Sequence, residues 1–207
     1  MILRILTLLL VAVISLSAVP ANDITEYLTP SRPLQKLFDA GGFENAPFSL
    51  IAVPMNDGLV YTRKSPGGTC SYTIQQFKNG GMRQIVQKAG DEICEQKLDD
   101  ILKNTKGWQI NSPLNPLPGQ DIGGTWLSGS GSSQQQHEII GAEFTTVKAG
   151  QFVAMKVLTC NIDGGNESIE WYAKGLGLIK FKLLYFERSG EINDLYFFED
   201  KDRGVMY

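Results

Sequence analysis

Leu178-Ile179-Lys180-Phe181-Lys182-Leu183-Leu184-Tyr185-Phe186-Glu187 (178–187) is the stretch that decides the fold. In an extended strand, successive side chains point to opposite faces. Ile179, Phe181, Leu183 and Tyr185 then share one wholly apolar face. Leu178, Lys180, Lys182, Leu184 and Phe186 share the other, polar at its start and apolar at its end. One side of such a sheet meets a core throughout, and part of the other side is covered too. A curved sheet wrapping a helix or an irregular crossing meets both demands.

Working outward, Arg188-Ser189-Gly190 leads to a second strand at Ile192–Glu199. Upstream, Ser168–Ala173, Phe152–Ile162 and Glu138–Val147 read as strands, separated by Asp163-Gly164-Gly165-Asn166 and Ala149-Gly150. Turns this short make each neighbour antiparallel. The C-terminal part is therefore a five-stranded meander. Asn56-Asp57-Gly58 and Asn79-Gly80-Gly81 predict two more hairpins, because these residues accept the positive φ of tight turns. The first joins Phe48–Val53 to Leu59–Arg63, and the second joins Cys70–Phe77 to Met82–Gln87. Ile93, Lys97, Leu98, Ile101 and Leu102 recur at helical spacing, so one short helix is expected near 91–104. Leu34–Phe38 reads as one helical turn, stopped by Gly41-Gly42. Residues 111–121 hold Pro113, Pro116 and Pro118 and read as a crossing without regular structure. Gly129–Gln136 is a Ser/Gly/Gln-rich hairpin tip.

The other end of the chain carries an address. Met1 and Arg4 precede an apolar run from Ile5 to Leu16, and Ser17-Ala18-Val19-Pro20-Ala21 follows. That is the three-part layout of a secretory signal peptide. The run is 12 residues, short of the roughly 20 that span a bilayer. Ala21 is the expected cleavage site, with Val19 at −3, and no Cys stands nearby to take a lipid anchor. The mature chain is then expected to be exported, to the periplasm or beyond, with no stable membrane anchor. Removing 21 of 207 residues leaves 186, enough for one well-cored domain. The expected organisation is a signal peptide at 1–21, an irregular segment at 22–47 and a single β-rich domain at 48–207. Loss of Arg4 makes the formal net charge, −3 for the full chain, one unit more negative. The basic residues form no patch or stripe, so nucleic acid is not an expected partner.

Export makes a disulfide feasible. Cys70, Cys94 and Cys160 allow one bridge in three pairings. Cys70–Cys94 would staple a short loop; three reduced, buried thiols are the competing state.

The chemistry on offer is narrow. His137 is the single histidine, so a two-histidine metal site cannot be built, and any Ser/His or Cys/His site must use it. Beside a Gln-rich loop it is expected on the surface. Asp99 and Asp100 are adjacent on the expected helix and point about 100° apart, which suits a solvated face. The turn from Asp163 to Glu167 lacks the alternating oxygen ligands of a calcium loop. Asn166-Glu167-Ser168 fits a glycosylation acceptor, relevant only in a eukaryote. No phosphate loop, dinucleotide fingerprint or Gly-x-Ser-x-Gly motif is present. No cofactor, metal site or catalytic residue is expected, and the chain reads as a non-enzyme. The aromatic residues offer an alternative to catalysis. Trp126, Trp171, Tyr172, Phe181 and Tyr185 are the candidates for lining an apolar ligand cavity.

Three motifs carry a resemblance. They are Pro116-Leu117-Pro118-Gly119 with Gly124-Thr125-Trp126; Thr146-Val147-Lys148-Ala149-Gly150-Gln151-Phe152; and Glu170-Trp171-Tyr172-Ala173-Lys174-Gly175-Leu176-Gly177-Leu178-Ile179-Lys180. In order and spacing, residues 114–187 resemble a family of exported bacterial domains of unknown function, similar to periplasmic half-barrels. The family often has Pro where Lys174 stands. The resemblance implies a curled antiparallel sheet and an envelope address, and it transfers no catalytic residue.

The fold expected is mainly β, an antiparallel meander curled into a half-barrel. The role expected is non-catalytic binding of a hydrophobic or envelope-derived ligand. A structural or protein-interaction module serving an envelope protein is the alternative, and an enzyme ranks last.

Overall fold

The computed structural model describes residues 24–39, 47–65, 69–103, 108, 113–129, 131, 134–163 and 167–184, and the backbone of 192–200. The expected signal peptide and Tyr185 lie outside these residues. The strands are β1 (Leu34–Phe38), β2 (Phe48–Pro54), β3 (Leu59–Ser65), β4 (Cys70–Lys78), β5 (Gly81–Gly90) and β6 (Asn115–Pro116). There follow β7 (Thr125–Ser128), β8 (Gln135–Val147), β9 (Gly150–Asn161), β10 (Glu167–Ala173), β11 (Gly177–Leu184) and β12 (Ile192–Asp200). All pairings are antiparallel, in the order β6-β5-β4-β3-β2-β1-β12-β11-β10-β9-β8-β7. The fold is the mainly β, curled meander that the alternating pattern predicts.

β12 joins two arms. Its first residues, Ile192–Asp194, pair with Lys180–Lys182 of β11; from Leu195 to Asp200 it pairs with β1. The free edges curl back until β6 and β7 approach within 8 Å between Cα atoms, without pairing. Two apolar clusters combine residues of both arms. One gathers Ile24, Val60, Phe77, Met82, Trp126, Ile139, Met155 and Val157. The other centres on Phe38, Phe48, Trp171 and Ile179. A third cluster, with Tyr61, Tyr72, Ile74 and Ile85, lies on the outer face of β3–β5 beneath Ile93, Leu98 and Ile101. Those last three belong to a 3-10 turn at Asp91–Cys94 and a helix, α2, at Leu98–Lys103. The single helix expected near 91–104 is thus two short pieces. The structure joins Cys70 on β4 to Cys94 in the turn, fixing this cover to the sheet.

Both predicted hairpins form. Asn79 and Gly80 have φ of 53° and 67°, the left-handed pair of a two-residue turn closed by Lys78 and Gly81.

Four further expectations are corrected. Leu34–Phe38 is strand β1, paired to β2 and β12, and not a helical turn. Its buried residues are Leu34, Lys36 and Phe38, a period of two that Lys36 disguises. With helix α1 (Thr25–Leu28), it makes part of the expected irregular segment 22–47 regular. In the Pro-rich crossing, Asn115 and Pro116 pair with Met82 and Gly81 at the sheet edge, where proline's missing N–H is harmless. On β11 the register slips beside Ile179, so Tyr172 pairs with Leu178 while Glu170 pairs with Phe181. Leu178 and Phe181 therefore share a face that strict alternation denies them. The fourth correction, His137, belongs to the site.

The third motif is explained by packing. Gly175 and Gly177 have φ of 72° and 71° in the turn between β10 and β11. Gly175 N–H donates to Glu26 O, and Lys174 pairs with Glu26 at 2.5 Å. Lys36, 2 % exposed, donates from Nζ to Leu176 O and to Leu178 O, the latter at 2.9 Å. The motif thus clasps α1 and β1 to the meander.

Candidate functional site

Strand alternation places polar residues on facing inner walls. On β4 and β5, Thr73 pairs with Gln87, and Gln75 pairs with Gln84 beside a register shift. Opposite stand Ser128 at the end of β7, Gln135 at the start of β8 and Asn161 at the end of β9. Three adjoining cavities of about 180, 450 and 270 Å³ lie between these walls, and Gln135 lines all three. The result is a cleft between the two arms.

The smallest cavity reaches deepest, to Trp126, His137, Glu170 and Tyr172. His137 is 6 % exposed, which corrects the surface position expected for it. On β8, His137 and Ile139 alternate inward, while the polar run before them supplies only the strand's entrance. Its ring stacks on Trp126, with centroids 4.8 Å apart and planes 14° from parallel. Nε2 lies 2.7 Å from Ser128 Oγ, and Nδ1 lies 2.9 Å from Thr159 Oγ1. Burial lowers its pKa from 6.5 to about 4, so the imidazole is neutral at physiological pH.

Glu170 sits on the same inner face of β10. Tyr172 Oη donates to its Oε2 at 2.5 Å and Ser168 Oγ to its Oε1 at 3.4 Å. Burial raises the pKa of Glu170, while these hydrogen bonds and Lys64 draw it back. Tyr172 is held well above its ordinary value by burial and by Glu170. Lys64 on β3 is lowered by burial, against the pull of Glu170. Its ammonium lies 4.3 Å from the centroid of Phe48 and 5.6 Å from that of Phe181.

The aromatic candidates separate by face. Trp126 and Tyr172 share the deep cavity, and Phe181 lines the neighbouring one. Trp171 points the other way, as adjacent strand residues must. Its Nε1 donates to Glu143 at 2.6 Å, and its ring lies under Lys156 and Lys180 at 5.4 and 5.3 Å. Ser128, His137, Thr159, Glu170 and the glutamines are the residues that the sequence reading left out of the site. Among the described residues no cluster of metal ligands occurs, and no helix is long and apolar enough to cross a membrane.

No protein-family model matches the chain, and no curated protein sequence is similar to it. Two solved structures are loosely alike. One is a putative exported protein with YmcC-like fold from Bacteroides fragilis NCTC 9343, with TM-score 0.46 and 11 % identity over 84 % of this chain and 99 % of that one. The other is a putative lipoprotein from Parabacteroides distasonis ATCC 8503, with TM-score 0.38 and 9 % identity over 84 % of this chain and 98 % of that one. Likeness at these scores assigns neither function nor address.

Proposed function

We propose that this chain is an exported cell-envelope protein that binds a neutral, hydroxyl- and amide-rich envelope ligand in the cleft between its two arms. The observation that carries this reading is the lining of the largest cleft cavity: Thr73, Gln75, Gln84, Gln87, Gln135 and Asn161. Side-chain amides both donate and accept, so they match hydroxyls and amides of a ligand without demanding charge. A few placed polar groups over an aromatic floor are the usual make-up of a binding cleft. A hydrophobic ligand would instead suit the hollow of about 390 Å³ beside Leu37, Phe38, Pro47 and Phe48. The envelope address rests on the leader-like N-terminus and the three motifs.

Native mass spectrometry of protein exported by a bacterial host and purified without detergent tests the reading. The expected result is an adduct of sugar- or peptide-like mass that leaves on denaturation. It disappears in a folded Gln75→Leu/Gln135→Leu variant. An adduct of lipid mass, or a bare protein after incubation with a solubilised envelope glycan fraction, would overturn it.

A further inference from the structure

With the ring proton of His137 on Nδ1, the hydrogen bonds through Ser128, His137 and Thr159 can be placed in order. The Thr159 oxygen then accepts from His137 Nδ1, which carries the ring proton. Nε2 is left with its lone pair, and Ser128 donates its hydroxyl proton to it at 2.7 Å. Ser128 stands where this series meets the cleft, lining both the 180 and the 450 Å³ cavities. A hydroxyl on a bare imidazole nitrogen, with the ring oriented from behind, is the arrangement of an activated serine.

We infer that Ser128 is the nucleophile and His137 the base of an acyl-transfer site, acting on a carboxylic ester carried by the polar ligand. The inference rests on the binding role proposed above for the same cleft. Ser128 Oγ bonds to the ester carbonyl carbon as its proton passes to His137 Nε2. The bond from that carbon to the alcohol oxygen breaks, and the alcohol leaves with the proton from Nε2. Water then adds to the acyl carbon and gives a proton to Nε2, and the bond to Oγ breaks. Ser128 takes that proton back, and a carboxylic acid departs. Trp126 offers its ring face to the imidazolium formed in each half, at 4.8 Å between centroids. The Gln75 and Gln135 amides line both cavities with Ser128 and are donors available to the carbonyl oxygen. Thr159 is a positioning residue, since it acts through His137.

The test treats the exported, disulfide-bonded chain with a fluorophosphonate and maps the adduct by peptide mass, alongside hydrolysis of p-nitrophenyl acetate. One adduct per chain is expected at Ser128. His137→Gln should slow labelling and hydrolysis by at least about 100-fold, the size of a general-base contribution. Thr159→Val should also slow them, and Thr159→Ser should restore them, which a purely structural hydroxyl would not require. The labelling rate should stay level through neutral pH and fall only in acid, as His137 gains its proton. Glu170 and Tyr172 on β10 and Lys64 on β3 are the titratable groups facing this series. The contribution of Glu170 in acid is separated by repeating the profile in Glu170→Gln, and Lys64 and Tyr172 change charge only toward alkali. Ser128→Ala should be inert; where it does not fold, the adduct site in the unaltered chain decides. No adduct at Ser128 in folded protein, or labelling unchanged in His137→Gln, overturns the inference. An inert Ser128 with the ligand adduct intact removes the covalent step alone. A labelled Ser128 with no ligand bound removes the binding role alone.

Discussion

Replacing Lys36 by Met tests the clasp at the heart of the meander. Lys36 is 2 % exposed, and burial lowers its pKa from 10.5 to about 7. Below pH 7 both the folded and the unfolded chain carry the proton, and the folded state bears the full cost of a buried ammonium. Between about 7 and 10.5 the unfolded chain binds more protons than the folded one, so stability rises with pH across that window. The separation of the two values corresponds to about 5 kcal/mol. Met matches the length of Lys and carries no charge, while leaving Leu176 O and Leu178 O without this donor. That loss is of order 1–3 kcal/mol and independent of pH. Urea unfolding of both proteins at a series of pH values, with the disulfide intact, separates the two effects. The difference between wild type and Lys36→Met should swing by about 5 kcal/mol in favour of wild type from pH 7 to 10.5. A difference that stays flat across that range would refute a buried, pKa-depressed lysine.

Other perturbations bear on separate parts of the structure. His137 is also depressed, to about 4, so wild type should lose about 3 kcal/mol as pH falls from 6.5 through 4. His137→Phe should lack that acid limb in the same urea series, although Ser128 and Thr159 lose a partner at every pH. Gly58 has φ of +69°, and a Cβ there would stand 1.9 Å from Phe77 O. Gly58→Ala should therefore cost about 2 kcal/mol or more, read as a lower unfolding midpoint. Cys94→Ser opens a loop spanning 24 residues and should cost about 3 kcal/mol, measured against the oxidised wild type.

The meander was legible because its turns and alternation are local signals. Asn79-Gly80 announces its own backbone conformation, and β9 and β10 pair without a register shift over seven residues. β1 was illegible for a physical reason. Leu34, Leu37 and Phe38 fit helical spacing, whereas the buried set includes a lysine that no hydrophobic pattern would place inside. The bulge beside Ile179 is likewise a response to the neighbouring strand and not to its own sequence. The site was harder still. The alternation of His137 and Ile139 hinted that His137 turns inward, but the other residues of the site come from three further strands. Ser128 arrives through pairing of β7 with β8, Thr159 directly across from His137 on β9, and Glu170 one strand further. No spacing along one segment encodes that meeting.

The divided pairing of β12 has a consequence for how the chain is assembled. Most neighbours in this sheet are consecutive in sequence, so β2–β5 and β7–β11 each form from short-range contacts. β1 breaks that economy by pairing with residues some 160 positions later, Leu34 with Asp200. Long-range contacts form late, since loop closure must precede them. A chain delivered from its N-terminus, by a ribosome or an export channel, therefore holds two half-sheets until β12 emerges. The walls of the cleft belong to different halves, so the cleft comes into being only after β12 has joined them.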